Sequence, residues 1–312
     1  MRGIELAYKY YAECGKEMLE KEFLEVQDRI TVGLAGEGSE CFGFDDDISE
    51  DHDFGAGFCL WISDEDYESF GFQLERAYAK LPKEFEGYSK APVSAVGGLR
   101  RGVIKTSDFY TNFLGSATLP ESHEHWLAIP SHALACATNG EIFRDGCGEF
   151  SNIRTSLLLG YPEDVRLKKL AAHAIFIAQS GLYNYPRLIK RGENGAAQLA
   201  VFEFVKHTIS FIYLLNNAYE PFYKWAYRRM RELDTLPYLE SSLVALTELG
   251  NEKAEADAKT ESIEEICVLL TDTLKALGLT DSESRDIERQ AYSLQNRIKD
   301  STLRNMHIMD GV

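Results

Sequence analysis

The chain is poor in the features that mark several large protein classes. Its 312 residues hold six cysteines, Cys14, Cys41, Cys59, Cys136, Cys147 and Cys267, and no two of them form a C-x-x-C pair. That scatter gives neither a zinc-ribbon spacing nor a disulfide framework, so reduced thiols are expected. No apolar run approaches the ~18 residues of a membrane-spanning helix, and Met1-Arg2-Gly3-Ile4-Glu5 lacks the apolar stretch of a secretory signal. A cytoplasmic protein without membrane contact is expected. Cations are scarce as well: 33 Lys and Arg stand against 50 Asp and Glu, a formal net charge of −17. Such a field repels a phosphate backbone, which argues against broad nucleic-acid binding and favours cationic partners. Internal repeats and long low-complexity tracts are absent too.

What is present suffices for sizeable cores. Hydrophobic residues make up 45% of the chain and charged residues 27%, and the length favours two compact units over one. Residues 1–150 read as mixed α/β. Ile4 to Gln27 reads as an amphipathic helix. Ile30-Thr31-Val32-Gly33-Leu34 reads as a buried strand, and Phe58-Cys59-Leu60-Trp61-Ile62 as a second. Ser63 with Asp66 resembles a capping box, predicting a helix from Asp64 that stops before Pro82. Weaker strands are expected at Gly102 to Thr106 and Glu141 to Arg144.

Residues 151–312 read as helical. Helices are expected from Pro162 to Gly181, from Ala196 to Asn217 and from Pro221 to Leu233. Residues 251–262 are charged and Ala-rich, either a linker or a solvated helix end. Thr280-x-x-Glu283 is expected to cap a final helix reaching Asp300. The fold class is therefore α+β, a small mixed-sheet domain followed by an all-helical one. The helices after Glu261 have apolar faces that would suit a homodimer.

The chemistry concentrates between the first two strands. Gly36-Glu37-Gly38-Ser39 follows the first strand directly, and Asp51-His52-Asp53 precedes the second. A dinucleotide fingerprint fails at Cys41. A Walker A loop lacks its Gly-Lys-Ser/Thr ending, and a calcium loop from Asp45 meets Glu50 and Ala56 where glycine and glutamate belong. What survives is a strand, a Gly-Ser turn and an Asp-x-Asp pair. In extended backbone Asp51 and Asp53 share a face. Two such carboxylates can hold Mg²⁺, which prefers oxygen ligands and shares them with substrate phosphates. Backbone N–H groups at Gly38 and Ser39 suit phosphate oxygens. The alternatives are a solvated acidic turn and an ordinary strand-ending turn.

This order resembles the DNA polymerase β-like nucleotidyltransferase superfamily. The whole chain also looks like a bacterial branch of it whose catalytic domain is followed by a helical domain, as in kanamycin nucleotidyltransferase. The branch resemblance rests on Asp45-Asp46, Asp51-His52-Asp53, Trp126-Leu127-x-Ile129-Pro130, Gly181-Leu182-Tyr183-Asn184-Tyr185 and Pro221-Phe222-Tyr223-Lys224-Trp225. It implies a Mg²⁺-dependent transfer of a nucleoside monophosphate from an NTP, ATP foremost, to a hydroxyl of a small molecule or a protein. Asp51 and Asp53 would bind the metal and Gly38 and Ser39 the phosphates. Arg187, Lys190 and Lys224, cations beside aromatic residues, would meet the nucleotide from the helical domain, although helix-end charge and snorkelling explain them equally. Analogy with antibiotic-modifying relatives offers Glu203 as a general base.

The chain departs from the superfamily pattern at His52, which replaces an aliphatic residue, and at Gly55-Ala56-Gly57, which interrupts the strand after Asp53. A third carboxylate is expected on a later strand, yet Gly102 to Thr106 contains no acid, leaving Asp108, Glu141 and Asp145 as candidates. A nucleotide-binding or protein-interaction protein that kept the fold without activity is the alternative reading. His123, His125 and His132 lack zinc-site spacing, and His173 reads as a core histidine.

Overall fold

The computed structural model describes residues 1–46, 48, 54–91, 100–146 and 148–312. They form two compact units, one of Met1–Pro120 with His132–Leu159 and one of Glu121–Ser131 with Gly160–Val312. The first unit thus runs nine residues past the expected division at 150, and a segment centred on Trp126 belongs with the second.

In the first unit a four-stranded mixed sheet holds the order β5-β2-β1-β6. The strands of the chain are β1 (Thr31–Leu34), β2 (Cys59–Ile62), the short hairpin β3 (Glu84–Phe85) and β4 (Tyr88–Ser89), β5 (Gly102–Lys105) and β6 (Glu141–Arg144). β1 is antiparallel to both β2 and β6, while β2 and β5 are parallel. Every residue of β1 and β2 is buried, as continuous apolar runs require of central strands. Alternation divides the side chains between two faces. Val32, Leu60 and Ile62 join Leu6, Tyr10, Leu19, Phe58 and Tyr78 in one core. Trp61 points the other way and stacks on Phe150 at 4.0 Å. Gly33 is needed where β6 crosses β1. A Cβ there would lie 2.4 Å from the Glu141 carbonyl oxygen, at the site where the β1/β6 register shifts.

The amino-terminal helix is continuous from Gly3 to Glu22 through a π-type turn at Tyr11–Gly15. Ser63 accepts from the Asp66 N–H as its capping role predicts, and the helical stretch it starts ends at Lys80, before Pro82. Helices at Thr106–Leu114, Ser131–Thr138 and Glu149–Leu157 complete the unit and were not foreseen.

The second unit is all helical. Its centre is Glu163–Ile177 packed against Asn194–Leu215 and Ile287–Arg297. Asn194–Leu215 has the length and a mean hydropathy of 1.2 that would cross a bilayer, but 67% of that stretch is buried inside the protein. Two neighbouring lysines on Glu163–Ile177 are buried. Lys168 donates to the carbonyls of His307 (2.7 Å) and Ile308 (3.1 Å), and Lys169 to those of Gly311 (3.0 Å) and Leu127 (3.3 Å). Burial lowers both ammonium pKa values to about 8.

One open expectation is resolved here and another fails. Residues 251–262 are a helix end rather than a linker: helix Lys253–Ala276 begins there, although Lys259 is fully buried within it, donating to Gln198 and Asn251. Thr280 caps no helix. The N–H groups of Ser282, Ser284, Asp286 and Glu288 each bond the side-chain oxygen two residues earlier, and the helix starts only at Ile287 with Asp286 as its cap. Hydroxyl and carboxyl groups at every second position offer the backbone a local alternative to helix.

Candidate functional site

β1 delivers the chain into the glycine turn. Gly36 and Gly38 have φ of 118° and 145°, conformations that an L side chain rarely adopts. Asn139 grips the turn from both directions: the Gly36 N–H donates to its Oδ1 at 2.9 Å, and its Nδ2 donates to the Gly36 carbonyl at 2.8 Å. One residue on, the Gly140 N–H donates to the Cys41 carbonyl at 2.8 Å. The Ser39 carbonyl accepts from the Phe42 and Phe44 N–H groups, closing a single 3₁₀ turn, Glu40–Phe42. The backbone on either side of Gly38, at Gly36 and at the Ser39 carbonyl, is therefore held by protein partners.

Beneath the turn lies an ion pair that sequence reasoning missed. Glu40 and Arg101 are both buried, and the Arg101 Nη2 donates to Glu40 Oε1 at 2.7 Å. A Cβ on Gly38 would stand 2.6 Å from that carboxylate, so glycine is what allows Glu40 to tuck under the turn. Burial is the largest influence and works against the guanidinium charge, but the Glu40 carboxylate and the Cys41 and Cys59 thiols together outweigh it and hold the Arg101 pKa above its ordinary value. The signal available in the sequence was an acid immediately after Gly38-Ser39, with nothing local to neutralise it.

Beside the turn is a cavity of about 300 Å³ between Ala35–Glu37 and helix Thr106–Leu114. Phe109 and Phe113 form its aromatic wall, Asp108 and Asn112 its polar one, and Arg100 and Lys105 lie along the β5 side. The two cations are already engaged. Arg100 reaches Glu37 at 3.4 Å, and Lys105 reaches Asp64 at 3.4 Å and Glu68 at 3.8 Å.

Gly38 and Ser39 are half-buried at the head of this turn. Asp51, His52 and Asp53 lie outside the described residues. Of the acidic stretch before them, Asp45 is partly buried and accepts from the Gly3 N–H at 2.6 Å, whereas Asp46 is exposed. The three candidates for a third carboxylate separate. Asp108 lines the cavity. Glu141 pairs with Leu34 at the turn end of β1 and is exposed. Asp145 bonds Ser151 (2.8 Å) and Thr31 (3.5 Å), at the opposite end of β1. Among the described residues no group of three His, Cys, Asp or Glu side chains is arranged to hold a metal ion.

In the helical unit Arg187, Lys190 and Lys224 are exposed. Arg187 lies 5.7 Å over the Tyr183 ring and Lys224 5.3 Å over Trp225. The structure does not bring the three together. Tyr185, at the start of the Arg187 helix, and Gln198 both meet Lys259, while Tyr213 donates to the Ala226 carbonyl beside Lys224. Gln198 and Tyr213 are 15 residues apart on one helix, about 22 Å along its axis. The cations thus form two separate clusters.

Glu203 faces His207, with Oε2 3.2 Å from Nε2. His207 Nδ1 is in turn 2.9 Å from His173 Nδ1, and Phe176 stacks on the His207 ring at 4.3 Å. Nε2–H donation to Glu203 leaves His207 Nδ1 as the acceptor and His173 as the donor. Burial lowers both imidazole pKa values, that of His207 to about 4. The pair is neutral and structural, as expected of a core His173, and it occupies the carboxylate proposed as a general base. His123 bonds Asp300 at 2.7 Å.

Residues 126–226 match the family described as a domain of unknown function (DUF4037). That span contains the Trp126, Gly181–Tyr185 and Pro221–Trp225 motifs but neither the glycine turn nor Asp51 and Asp53. Curated proteins returned no match. Among solved structures, the chain is similar to a nucleotidyltransferase-like protein from Exiguobacterium sibiricum 255-15, at 10% identity over 90% of each chain with a TM-score of 0.36.

Proposed function

We propose that the chain is a nucleotidyltransferase that moves a nucleoside monophosphate from an NTP, ATP foremost, to a hydroxyl of a small molecule or a protein. The observation that carries this reading is the glycine turn itself. A buried central strand runs into Gly38-Ser39, the turn is pinned by Asn139 and seated on Glu40–Arg101, and the chain returns through Asp51-His52-Asp53 into an antiparallel strand. Gly38 and Ser39 hold phosphate oxygens. Asp51 and Asp53 would hold Mg²⁺ through the hard oxygen donors it prefers, and the bound ion would supply neutralisation of triphosphate charge. The acceptor oxygen bonds the α-phosphorus, the bond from that phosphorus to the bridging oxygen breaks, pyrophosphate leaves, and the hydroxyl proton passes to water.

Thermal unfolding with each NTP, with and without Mg²⁺, tests the reading. A ligand at a hundred times its Kd stabilises the native state by about 2.7 kcal/mol. Wild type should shift with Mg²⁺ and at least one NTP, and Asp51→Asn/Asp53→Asn should lose the shift and the release of pyrophosphate. A folded double variant with full transfer would refute the assignment.

A second reading is favoured by one feature: β5 carries no acid. On that reading the chain binds nucleotide without turning it over. NTP binding with no pyrophosphate release, whether to an added acceptor, water or the protein itself, selects it.

A further inference from the structure

We propose that the cavity beside the glycine turn holds the nucleobase of the donor NTP and selects bases that carry an exocyclic amino group. The inference rests on the nucleotidyltransferase reading and adds to it a binding site and a base class. Its geometry comes from one helix. Asp108 and Asn112 stand four residues apart on Thr106–Leu114, as do Phe109 and Phe113, so the helix offers the cavity two adjoining lines of side chains. One line is aromatic, the rings of Phe109 and Phe113 lying 5.1 Å apart. Phe109 is anchored edge-on to Trp61 at 5.6 Å, which fixes the wall to the sheet. The other line is a carboxylate and an amide.

Charge decides what such a cavity takes. A phosphate needs cations that are not already neutralised, yet Arg100 is paired with Glu37 and Lys105 with Asp64 and Glu68. A polycationic acceptor would want unpaired carboxylates on several sides, and Glu37 is engaged by the same Arg100. What fits is a neutral, planar, aromatic group with hydrogen-bond donors on its edge. A nucleobase stacks on the phenyl wall. An exocyclic amine donates to the Asp108 carboxylate and the Asn112 amide oxygen, as carboxylate and amide side chains read amino groups of cytosine and adenine in other settings. Uracil has no such amine. The volume of about 300 Å³ is at the lower end of the ~300–1,000 Å³ of ligand pockets. Continuity with the turn completes the case. Ala35, Gly36 and Glu37 form the cavity wall, and the next two residues are Gly38 and Ser39, so a base in the cavity leaves its triphosphate over the turn.

The test is calorimetric titration of wild type, Asp108→Asn/Asn112→Leu and Phe113→Ala with ATP, GTP, CTP, UTP and inorganic tripolyphosphate, each with Mg²⁺. Asn112 is exposed and Phe113 half-buried, and circular dichroism checks that each variant folds. Wild type should bind at least one amino-bearing NTP about tenfold or more tightly than UTP. The Asp108/Asn112 variant should bring that ratio near one, and Phe113→Ala should weaken all NTPs, with tripolyphosphate binding unchanged in both. If NTPs bind but UTP is not disfavoured, if the Asp108/Asn112 variant leaves the ratio intact, or if Phe113→Ala leaves NTP affinity unchanged, the base pocket is wrong and the nucleotidyltransferase reading stands. If wild type binds neither NTPs nor tripolyphosphate, both fall.

Discussion

Replacing Arg101 with methionine separates the turn from its support. The substitution keeps much of the side-chain volume and leaves the Glu40 carboxylate buried without its counter-charge. Both side chains are under 10% exposed (7% for Arg101, 9% for Glu40), so little water relieves the loss. Removing one partner of such a pair costs about 3–5 kcal/mol, whereas removing both charges together costs much less. We therefore expect Arg101→Met to destabilise the first unit by about 3–5 kcal/mol. The double variant Glu40→Gln/Arg101→Met should be more stable than Arg101→Met alone. The chain has three tryptophans, and only Trp61 lies in the first unit. Urea titration followed by Trp61 fluorescence, in a Trp126→Phe/Trp225→Phe background, reads that unit alone. With a slope of ~2–3 kcal/mol per molar urea, the single variant should lower the midpoint by about 1–2.5 M. Single-variant costs that add to the double-variant cost within ~0.5 kcal/mol would show no coupling and refute the argument.

Four further outcomes follow from the same structure. Asn139→Ala removes two hydrogen bonds to Gly36, each worth about 0.5–1.5 kcal/mol, and should cost about 1–3 kcal/mol in the same urea assay. Gly33→Ala drives a methyl into the Glu141 carbonyl oxygen and should cost about 1–3 kcal/mol or prevent folding, measured as soluble yield and midpoint. Glu220 is half-buried, and the loss of solvation raises its carboxyl from 4.5 to about 7. The folded state then holds a proton that the unfolded chain releases, so stability falls as pH rises from about 4.5 through 7, by about 3 kcal/mol at most. Glu220→Gln should flatten that part of the profile. Lys168 and Lys169 titrate in the opposite sense: their lowered pKa values of about 8 mean that stability of the second unit rises between about pH 8 and 10.5, and Lys169→Met should remove about half of the rise, Lys168 supplying the rest.

The legible parts of this fold are those where one physical signal dominates. β1 and β2 are unbroken apolar runs, and Ser63 caps its helix because nothing competes for the Asp66 N–H. Thr106–Leu114 was invisible because its Thr, Phe, Tyr and Asn residues are middling helix formers, and its place is set by packing on β5 and Trp61. Lys259 misled for a related reason: a charged, Ala-rich stretch reads as solvated, whereas its ammonium is satisfied by Gln198 and Asn251, distant in sequence. At the candidate site the glycines were readable, because their conformations are written in the residue type. Glu40 and Arg101 were not, since a partner 61 residues away leaves no local trace.

The carbonyl groups that cap Lys168 and Lys169 set an order of events. Three of the four acceptors belong to residues 307–311, more than 130 positions after the lysines they satisfy. Helix Glu163–Ile177 can form early, with the Leu127 carbonyl already available to Lys169, but Lys168 meets Gln295 only later and most of the acceptors come only when residues 307–311 have docked. During translation, therefore, the second unit cannot close its core segment by segment. Until residues 307–311 dock, the two lysines lack most of their acceptors, and that interval is when the chain would be most open to a chaperone or a protease.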